Sequence, residues 1–190
     1  MNTTRLTVAI LMTAPLAGCL TLSPSECTDW NVECAEATMR VAERPKFGVA
    51  RLSLVELRAP YAAREIAVLR ANGSVAFDQC NSYAASPVLL LRGVALEALD
   101  RSRLFSGVVG ASSAVDSDVD VEVAVTRLAL DCREENARRA VAAVSVRLVR
   151  AHKIVAHVAG RGSADASGPN YSASLSDAVT SAFSDALGKL

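Results

Sequence analysis

The sequence predicts an α+β fold in which an antiparallel or mixed sheet of about six strands carries two helices packed on one face, in the order β-β-β-α-β-β-β-α. Stretches typical of strands, either apolar and β-prone runs or runs that alternate between apolar and polar residues, fall into two groups. Each group is followed by one stretch with apolar residues three and four apart, the pattern typical of an amphipathic helix. Groups of strands that each end in a single helix favour two layers over alternating parallel β-α units.

The chain begins with a predicted lipoprotein signal peptide, residues 1–18. Arg5 provides a positive start, an apolar run extends from Leu6 to Leu16, and Leu16-Ala17-Gly18-Cys19 follows. This is the layout of a secretory signal, and the apolar run is far shorter than the ~20 residues of a spanning helix. The four closing residues resemble a bacterial lipobox, whose cysteine receives fatty-acyl chains such as palmitate. Cys19 is therefore predicted to be lipidated; the alternative is a plain secretory signal with an incidental cysteine.

Composition limits the classes of function. Lys+Arg and Asp+Glu both number 20, and aromatic residues make up 4% of the chain. A balanced charge with few aromatic residues gives no basis for nucleic-acid binding. Without residues 1–18, the chain has the length of one domain and can bury a core of its own.

Four cysteines remain when Cys19 is assigned to lipid, namely Cys27, Cys34, Cys80 and Cys132. An even number in an oxidising compartment indicates disulfides, and four cysteines allow three pairings. Their spacing does not match a zinc site. We predict the pairs Cys27–Cys34 and Cys80–Cys132, because the first is local and the second joins the ends of two predicted strands.

Residues 19–46 are predicted to be a lipid-anchored tether with a small cysteine loop, and residues 47–190 a single α+β domain. Within the tether, residues 33–42 could form a brief helix that ends before Pro45.

Three strands are predicted at the start of the domain, at 47–57, 65–70 and 75–80. The second and third are joined at Asn72-Gly73, a dipeptide that favours a type I′ hairpin turn.

The first helix is predicted to begin at Ser86-Pro87, with Ser86 as cap, and to end near Arg103. A loop through residue 115 follows. The closing helix has its apolar residues between Leu175 and Leu190, with Ser172 or Ser174 as cap. Ser176, Asp177, Ser184, Asp185 and Lys189 are predicted to face outward.

Three further strands are predicted between the helices. The first alternates from Val119 and slips in phase after Thr126, which predicts a bulge there. The second spans 140–148 and returns through a tight turn at Ala151-His152 into the third, at 154–158. Residues 160–170, rich in Gly, Ser and Asp, are predicted to be a loop.

No group of residues with catalytic spacing is found in the sequence. The two histidines, His152 and His157, have no nucleophile or metal partner within their own segments, and both are predicted to be structural or surface groups. Phosphate-loop, calcium-loop and nucleophile-elbow patterns are missing from the sequence. We therefore predict no catalytic, cofactor-binding or metal-binding residue.

From about Val49 to its end, the chain resembles the ABC-type transport auxiliary lipoproteins, similar to the lipoprotein of the paraquat-inducible system. The residues that carry the resemblance are Ala59-Pro60-Tyr61 ahead of a strand at 64–68, the Asn81–Pro87 stretch before the first helix, Leu104–Val109 after it, and the closing helix. Tyr83 stands where that family usually has tryptophan, and the Cys27/Cys34 segment replaces its short start.

The resemblance implies a non-enzymatic protein on the periplasmic face of the outer membrane, where it is held by its N-terminal acyl chains. Its implied partners are an MCE-domain periplasmic protein and the associated ABC transporter, which move phospholipid between membranes. Leu20 after Cys19, in place of aspartate, agrees with outer-membrane sorting. The alternative is a generic envelope scaffold that binds another protein without lipid transport. In either case, Val121, Val123 and Val125 are predicted to form an apolar docking patch on the uncovered sheet face.

Overall fold

The computed structural model describes residues 27–35, 39–134 and 137–190; Cys19 and the predicted signal peptide lie outside the described residues. These residues form β1 (Thr28–Trp30), β2 (Phe47–Leu57), β3 (Glu65–Arg70), β4 (Val75–Tyr83), α1 (Pro87–Arg101), β5 (Phe105–Gly110), β6 (Val119–Glu134), β7 (Ala137–Arg150), β8 (Lys153–Asp165) and α2 (Tyr171–Leu187). The predicted α+β class with a mixed sheet and two helices is confirmed, and the strands outnumber the six expected.

β6 is the centre of the sheet. On one side it pairs with antiparallel β7 along its length. On the other side, its first half pairs with parallel β2 and its last residues with parallel β3. β5 extends the sheet beyond β2, β4 and β1 extend it beyond β3, and β8 extends it beyond β7. The sheet is therefore split on one side of β6 and continuous on the other.

β1, β5 and the second half of β8 were not predicted. β1 has three residues, too few to show alternation, and β5 contains two glycines that weaken the strand pattern. Residues 160–165 were predicted as loop but continue β8. In each case the strand depends on a neighbour that is distant in sequence.

The glycines of β8 make room for α2. A Cβ atom at Gly160 would lie 2.0 Å from the carbonyl oxygen of Ala182, and one at Gly162 would lie 2.0 Å from that of Ala178. Glycine is therefore needed because the helix backbone lies directly on the strand. These residues mark a helix–sheet contact and not the predicted loop.

The tight turns lie at the predicted positions, but one of them is not of the predicted type. Ala151 and His152 have φ values of 48° and 62°, which confirms the tight β7–β8 turn. The β3–β4 hairpin is also confirmed, but only Gly73 has a positive φ there, so the turn is not type I′. The predicted bulge after Thr126 is confirmed by a register shift between Val125 and Arg127.

The helix starts differ from the predicted caps. Ser86 precedes α1 but its side chain makes no capping hydrogen bond. Asn170 caps α2 by accepting a hydrogen bond from the Ala173 N–H at 3.1 Å. Ser172 and Ser174 do not cap, because their hydroxyls donate to the carbonyls of Asn31 and Asp165.

The main core lies between the sheet and the two helices. Val121, Val123 and Val125 are buried there, so the predicted apolar patch on the uncovered face is wrong. The alternation was assigned correctly, but α2 packs on β6, β7 and β8 from the side these valines occupy. Burial of each is worth about 1.5–3 kcal/mol relative to exposure. The uncovered face instead carries the alternate residues of β6, including Asp120 and Glu122.

Candidate anchoring segment and docking surfaces

The segment nearest the predicted anchor is part of the sheet. β1 pairs in parallel with the end of β4, from Thr28 opposite Asn81 to Trp30 opposite Tyr83. The Trp30 indole N–H donates to the Asn81 side-chain oxygen at 2.7 Å. The Asp29 carboxylate accepts a bond from the Arg64 guanidinium at 3.2 Å. Side chains therefore support a strand too short to be stable by its backbone bonds alone.

After β1 the chain crosses onto α2, and we call residues 31–40 the strap; its described residues, 31–35 and 39–40, are neither helix nor strand. Three strap N–H groups donate to hydroxyls of α2: Glu33 to Ser176 at 3.0 Å, Ala35 to Thr180 at 2.8 Å and Arg40 to Ser184 at 2.9 Å. The three hydroxyls are four residues apart and so share one helix face.

The strap changes two expectations. Its described residues are not helical, so the brief helix predicted at 33–42 is not found there. Ser176 and Ser184, predicted to face solvent, are buried, and Thr180 is 0% exposed. Their hydroxyls can be buried because each accepts a main-chain hydrogen bond. The packed chain thus begins at β1, inside the segment predicted to be a tether.

An open groove of about 840 Å³ lies between α1, the strap and the start of α2. Leu89, Leu90 and Gly93 line its α1 side, and Asp177 lines its α2 side. Leu89 is 60% exposed. Glu97 and Arg101 form an ion pair at 2.5 Å within the lining. The mixed polar and apolar lining and the open shape do not single out a small-molecule ligand.

The predicted Cys27–Cys34 pair is not brought together. Cys34 lies in the strap, is buried, and hydrogen-bonds through its side chain with Thr180. Burial raises the pKa of the Cys34 thiol, and the Thr180 contact partly offsets that effect. Cys27 lies at the start of β1 beside Cys80, because β1 joins β4 in parallel.

The predicted Cys80–Cys132 pair is also kept apart. Cys132 is the register neighbour of Arg70, where β3 turns into β4. Cys80 lies two residues from Ser82, whose neighbour is Glu65 at the opposite end of β3. The two cysteines follow strands as predicted, but the antiparallel β3–β4 pairing places them at different levels of the sheet.

The histidines lie on exposed positions. His152 is in the β7–β8 turn, and His157 is on β8 with its Nε2 atom 2.8 Å from the Ser145 hydroxyl. This contact is not evident from the sequence, although the tight turn sets the hairpin register that allows it. Among the described residues, no carboxylate contacts the second ring nitrogen of His157, and no cluster of three His, Cys, Asp or Glu side chains could hold a metal ion. The contact lacks the third group that orients a catalytic imidazole.

The uncovered face of the sheet is polar near the start of β6. Arg147 pairs with Glu122 across β6 and β7 at 3.5 Å, and Arg51 lies 3.9 Å from Asp120 across β2 and β6. Both pairs are partly exposed, so each adds at most ~1 kcal/mol to stability. Toward the carboxyl end of β6 the same face carries a small second apolar cluster that includes Leu69 and Ala129.

Exposed apolar side chains gather at the end of the sheet where β6 begins, which we call the distal end. It consists of the loop 111–118 and the β7–β8 turn, joined by a hydrogen bond from the Arg150 guanidinium to the Asp118 carbonyl at 3.2 Å. Val115, Ile154 and Val155 are exposed there. The Arg51 guanidinium orders the loop by donating to the carbonyls of Ser113 and Val115, at 2.8 and 2.6 Å.

The strand directions show which end of the sheet the start of β1 faces. β1 is parallel to β4, β4 is antiparallel to β3, and β3 is parallel to β6. β1 therefore runs opposite to β6, and its start faces the carboxyl end of β6. We call this side the anchor end. Among the described residues, no helix is long and apolar enough to cross a bilayer.

Comparison with known proteins shows the fold class of this chain. No family model matches the sequence, and no curated protein matches it. The crystal structure of protein XCC0632 from Xanthomonas campestris, assigned to the family DUF330, is similar over 86% of this chain and 94% of its own, with 14% identity and a TM-score of 0.70.

Two other solved structures are also similar. An uncharacterized protein matches over 80% of this chain and 95% of its own, with 13% identity and a TM-score of 0.53. Lipoprotein GNA1162 from Neisseria meningitidis covers 66% of this chain and 88% of its own at 10% identity, but its TM-score of 0.30 supports no argument. At these identities the likeness to XCC0632 and to the uncharacterized protein establishes a shared fold alone.

Proposed function

We propose that this protein is a non-enzymatic, lipid-anchored auxiliary component of an MCE/ABC-type lipid transport system, docking that assembly at the periplasmic face of the outer membrane. The observation that carries the proposal is the arrangement of the chain: a lipobox ending at Cys19 is followed within eight residues by a packed strand of a fold similar to that of XCC0632. The resemblance to the auxiliary lipoproteins supplies the expected partner.

The anchor geometry supports a docking role. The eight residues from Cys19 to Cys27 span at most about 28 Å. The start of β1 faces the anchor end, so a tether of this length would hold this end toward the membrane. The distal end, with Val115, Ile154 and Val155, then points into the periplasm. Exposed apolar side chains on an ordered loop and a tight turn are suited to protein–protein contact.

The anchor is tested by the variant Cys19→Ser. Loss of the acyl chains should move the protein from the membrane fraction to the soluble fraction. A Cys19→Ser protein that still sediments with membranes after a salt wash would show that lipid is not the anchor.

The partner is tested by cross-linking the acylated protein in membranes, followed by affinity purification and mass spectrometry. We expect peptides of an MCE-domain protein cross-linked to the distal end. Ile154→Asp should abolish this cross-link, whereas Leu89→Asp should keep it; the two leucine-sized side chains are 59% and 60% exposed but lie on different surfaces. Recovery of envelope-assembly proteins without any MCE or ABC subunit would favour the scaffold alternative.

A further inference from the structure

We propose that Cys27 and Cys80 form a disulfide that fixes the start of β1 to β4 and so sets the length of the free tether. This pair differs from both pairs that sequence spacing suggests. The inference uses the proposed envelope location for the source of oxidant and the predicted lipid on Cys19 for the length of the tether, and it is independent of the transport partner.

The strand register brings the two residues together. β1 and β4 pair in parallel with Thr28 opposite Asn81, so extending this register by one residue sets Cys27, directly before β1, opposite Cys80. Neighbouring strands lie about 4.8 Å apart, and directly opposed residues point to the same face. That separation is within the range of Cα distances that a disulfide spans.

The side chains are in contact as well. The two thiols are hydrogen-bonded to each other, and this contact is the largest cause of the raised pKa of Cys27. Cys27 is exposed, so an oxidant can reach it, whereas Cys80 is half-buried. The accessible member of the pair is therefore the natural site of first attack.

Polar contacts hold both strands in place before any bond forms. The Asp78 carboxylate accepts hydrogen bonds from the N–H groups of Cys80 and Asn81 at 3.0 and 3.1 Å. The Asn81 side chain in turn accepts the Trp30 indole N–H. The cysteines are thus presented by a preformed local structure, which lowers the entropy cost of closing the bridge.

The chemistry is thiol–disulfide exchange with a protein dithiol oxidant of the envelope in its disulfide form. The Cys27 thiolate attacks one oxidant sulfur, which forms a mixed disulfide and releases the other oxidant sulfur as a thiolate. The Cys80 thiolate then attacks the Cys27 sulfur and displaces the oxidant. Two thiols of this protein become one disulfide, and the oxidant receives the two electrons and two protons.

The other two cysteines are left as thiols. Cys34 is buried against Thr180 on α2, and Cys132 lies beside Arg70 on a different strand. Among the described residues, neither is adjacent to another cysteine in the sheet register.

The disulfide would fix the length of the tether. With Cys27 bonded to Cys80, only residues 20–26 separate the predicted lipid from the sheet, whereas fraying of the three-residue strand β1 would lengthen the tether.

The experiment is peptide mapping of the full lipidated protein, purified from membranes in detergent and alkylated without reduction. We expect one linked peptide pair containing Cys27 and Cys80, lighter than the sum of its reduced peptides by two hydrogen atoms, with Cys34 and Cys132 carrying the alkyl group after denaturation. Cys80→Ser should make Cys27 fully alkylated, and the control Cys132→Ser should leave the Cys27–Cys80 pair intact.

A second measurement tests whether the structure of the protein selects this pair of cysteines without the oxidant of the envelope. The purified protein is reduced, freed of reductant and exposed to oxidised glutathione, and the same pair should form first. Alkylation of both Cys27 and Cys80 after this treatment, or a link from Cys27 to Cys34 or Cys132, would overturn the proposal. Failure of the transport-partner test would leave these readings unchanged.

Discussion

The two helices cover the same face of the sheet but are held in different ways. α2 lies against glycine backbone on its inner side and accepts strap hydrogen bonds on another side, so hydroxyl residues within it are buried. α1 packs through apolar residues such as Leu91 and Leu99, and its outer side borders an open groove. α2 is therefore an interior element, while α1 is a conventional surface helix.

This difference shows why amphipathic spacing alone misjudges exposure. Polar residues opposite an apolar stripe indicate a face without apolar contacts, which on α1 is solvent. On α2 the same pattern marks a face that binds backbone N–H groups of a distant segment. Hydroxyl residues repeated at four-residue intervals are the signal that distinguishes the two cases.

The largest expected difference in stability comes from replacing one glycine by alanine for each helix: Gly160 beneath α2 and Gly93 on α1. Gly160→Ala would place Cβ 2.0 Å from the Ala182 carbonyl oxygen and force α2 off the strand, which should destabilise the domain by about 3 kcal/mol. A Cβ atom at Gly93 on α1 would have no neighbouring atom within 4 Å, so Gly93→Ala should stabilise the domain by up to ~1 kcal/mol. Urea unfolding of both variants measures the difference, and equal effects would refute the contrast.

The strap contacts should be next in size. Thr180→Val keeps the side-chain shape but removes the acceptor for the Ala35 N–H, so a partly buried donor loses its partner, at a cost of about 1–2 kcal/mol. Ser181→Ala, at the adjacent half-buried position of the same helix, is the control and should change stability by less than ~0.5 kcal/mol. Equal melting temperatures of the two variants would show that the strap hydrogen bond adds nothing to the stability of the domain.

Tyr83 has a buried hydroxyl without a hydrogen-bond partner among the described residues, in contrast to the buried hydroxyls of α2. The whole residue is almost completely buried. Burial raises the pKa of this phenol. Tyr83→Phe removes the unsatisfied group and should raise stability by about 1 kcal/mol, measured by chemical denaturation. Loss of stability would mean that the hydroxyl has a partner in solution.

The smallest effect is expected on the open side of α1. Leu89→Ala removes an exposed side chain from the groove, so the free energy of unfolding should change by no more than ~0.5 kcal/mol. A loss of several kcal/mol in differential scanning calorimetry would show that another part of the chain covers this groove.

Local patterns predicted much of the fold. Apolar and β-prone runs located β2, β3 and β4, period-two alternation located β6 and β7, and helical spacing located α1 and α2 within a few residues. The tight turn at Ala151-His152 was also correct. These elements carry their signal in their own residues, because each buries one face of a strand or one stripe of a helix.

The missed features all depend on distant partners. β1 is a strand because β4 pairs with it, and residues 160–165 are extended because they pair with β7 beneath α2, where glycines leave room for the helix. The cysteine positions follow from the same cause, since only the parallel β1–β4 register places Cys27 beside Cys80. Spacing along the chain could not supply that register.

The described residues of the strap, which follow the predicted anchor in the chain, are a fixed part of the domain. Hydrogen exchange of the full lipidated protein in detergent, resolved to single amides, tests this packing. The amides of Glu33, Ala35 and Arg40 should be protected and should lose protection together in Thr180→Val. Exchange of these three amides at the rate of an unstructured peptide would show that the strap is not held on α2.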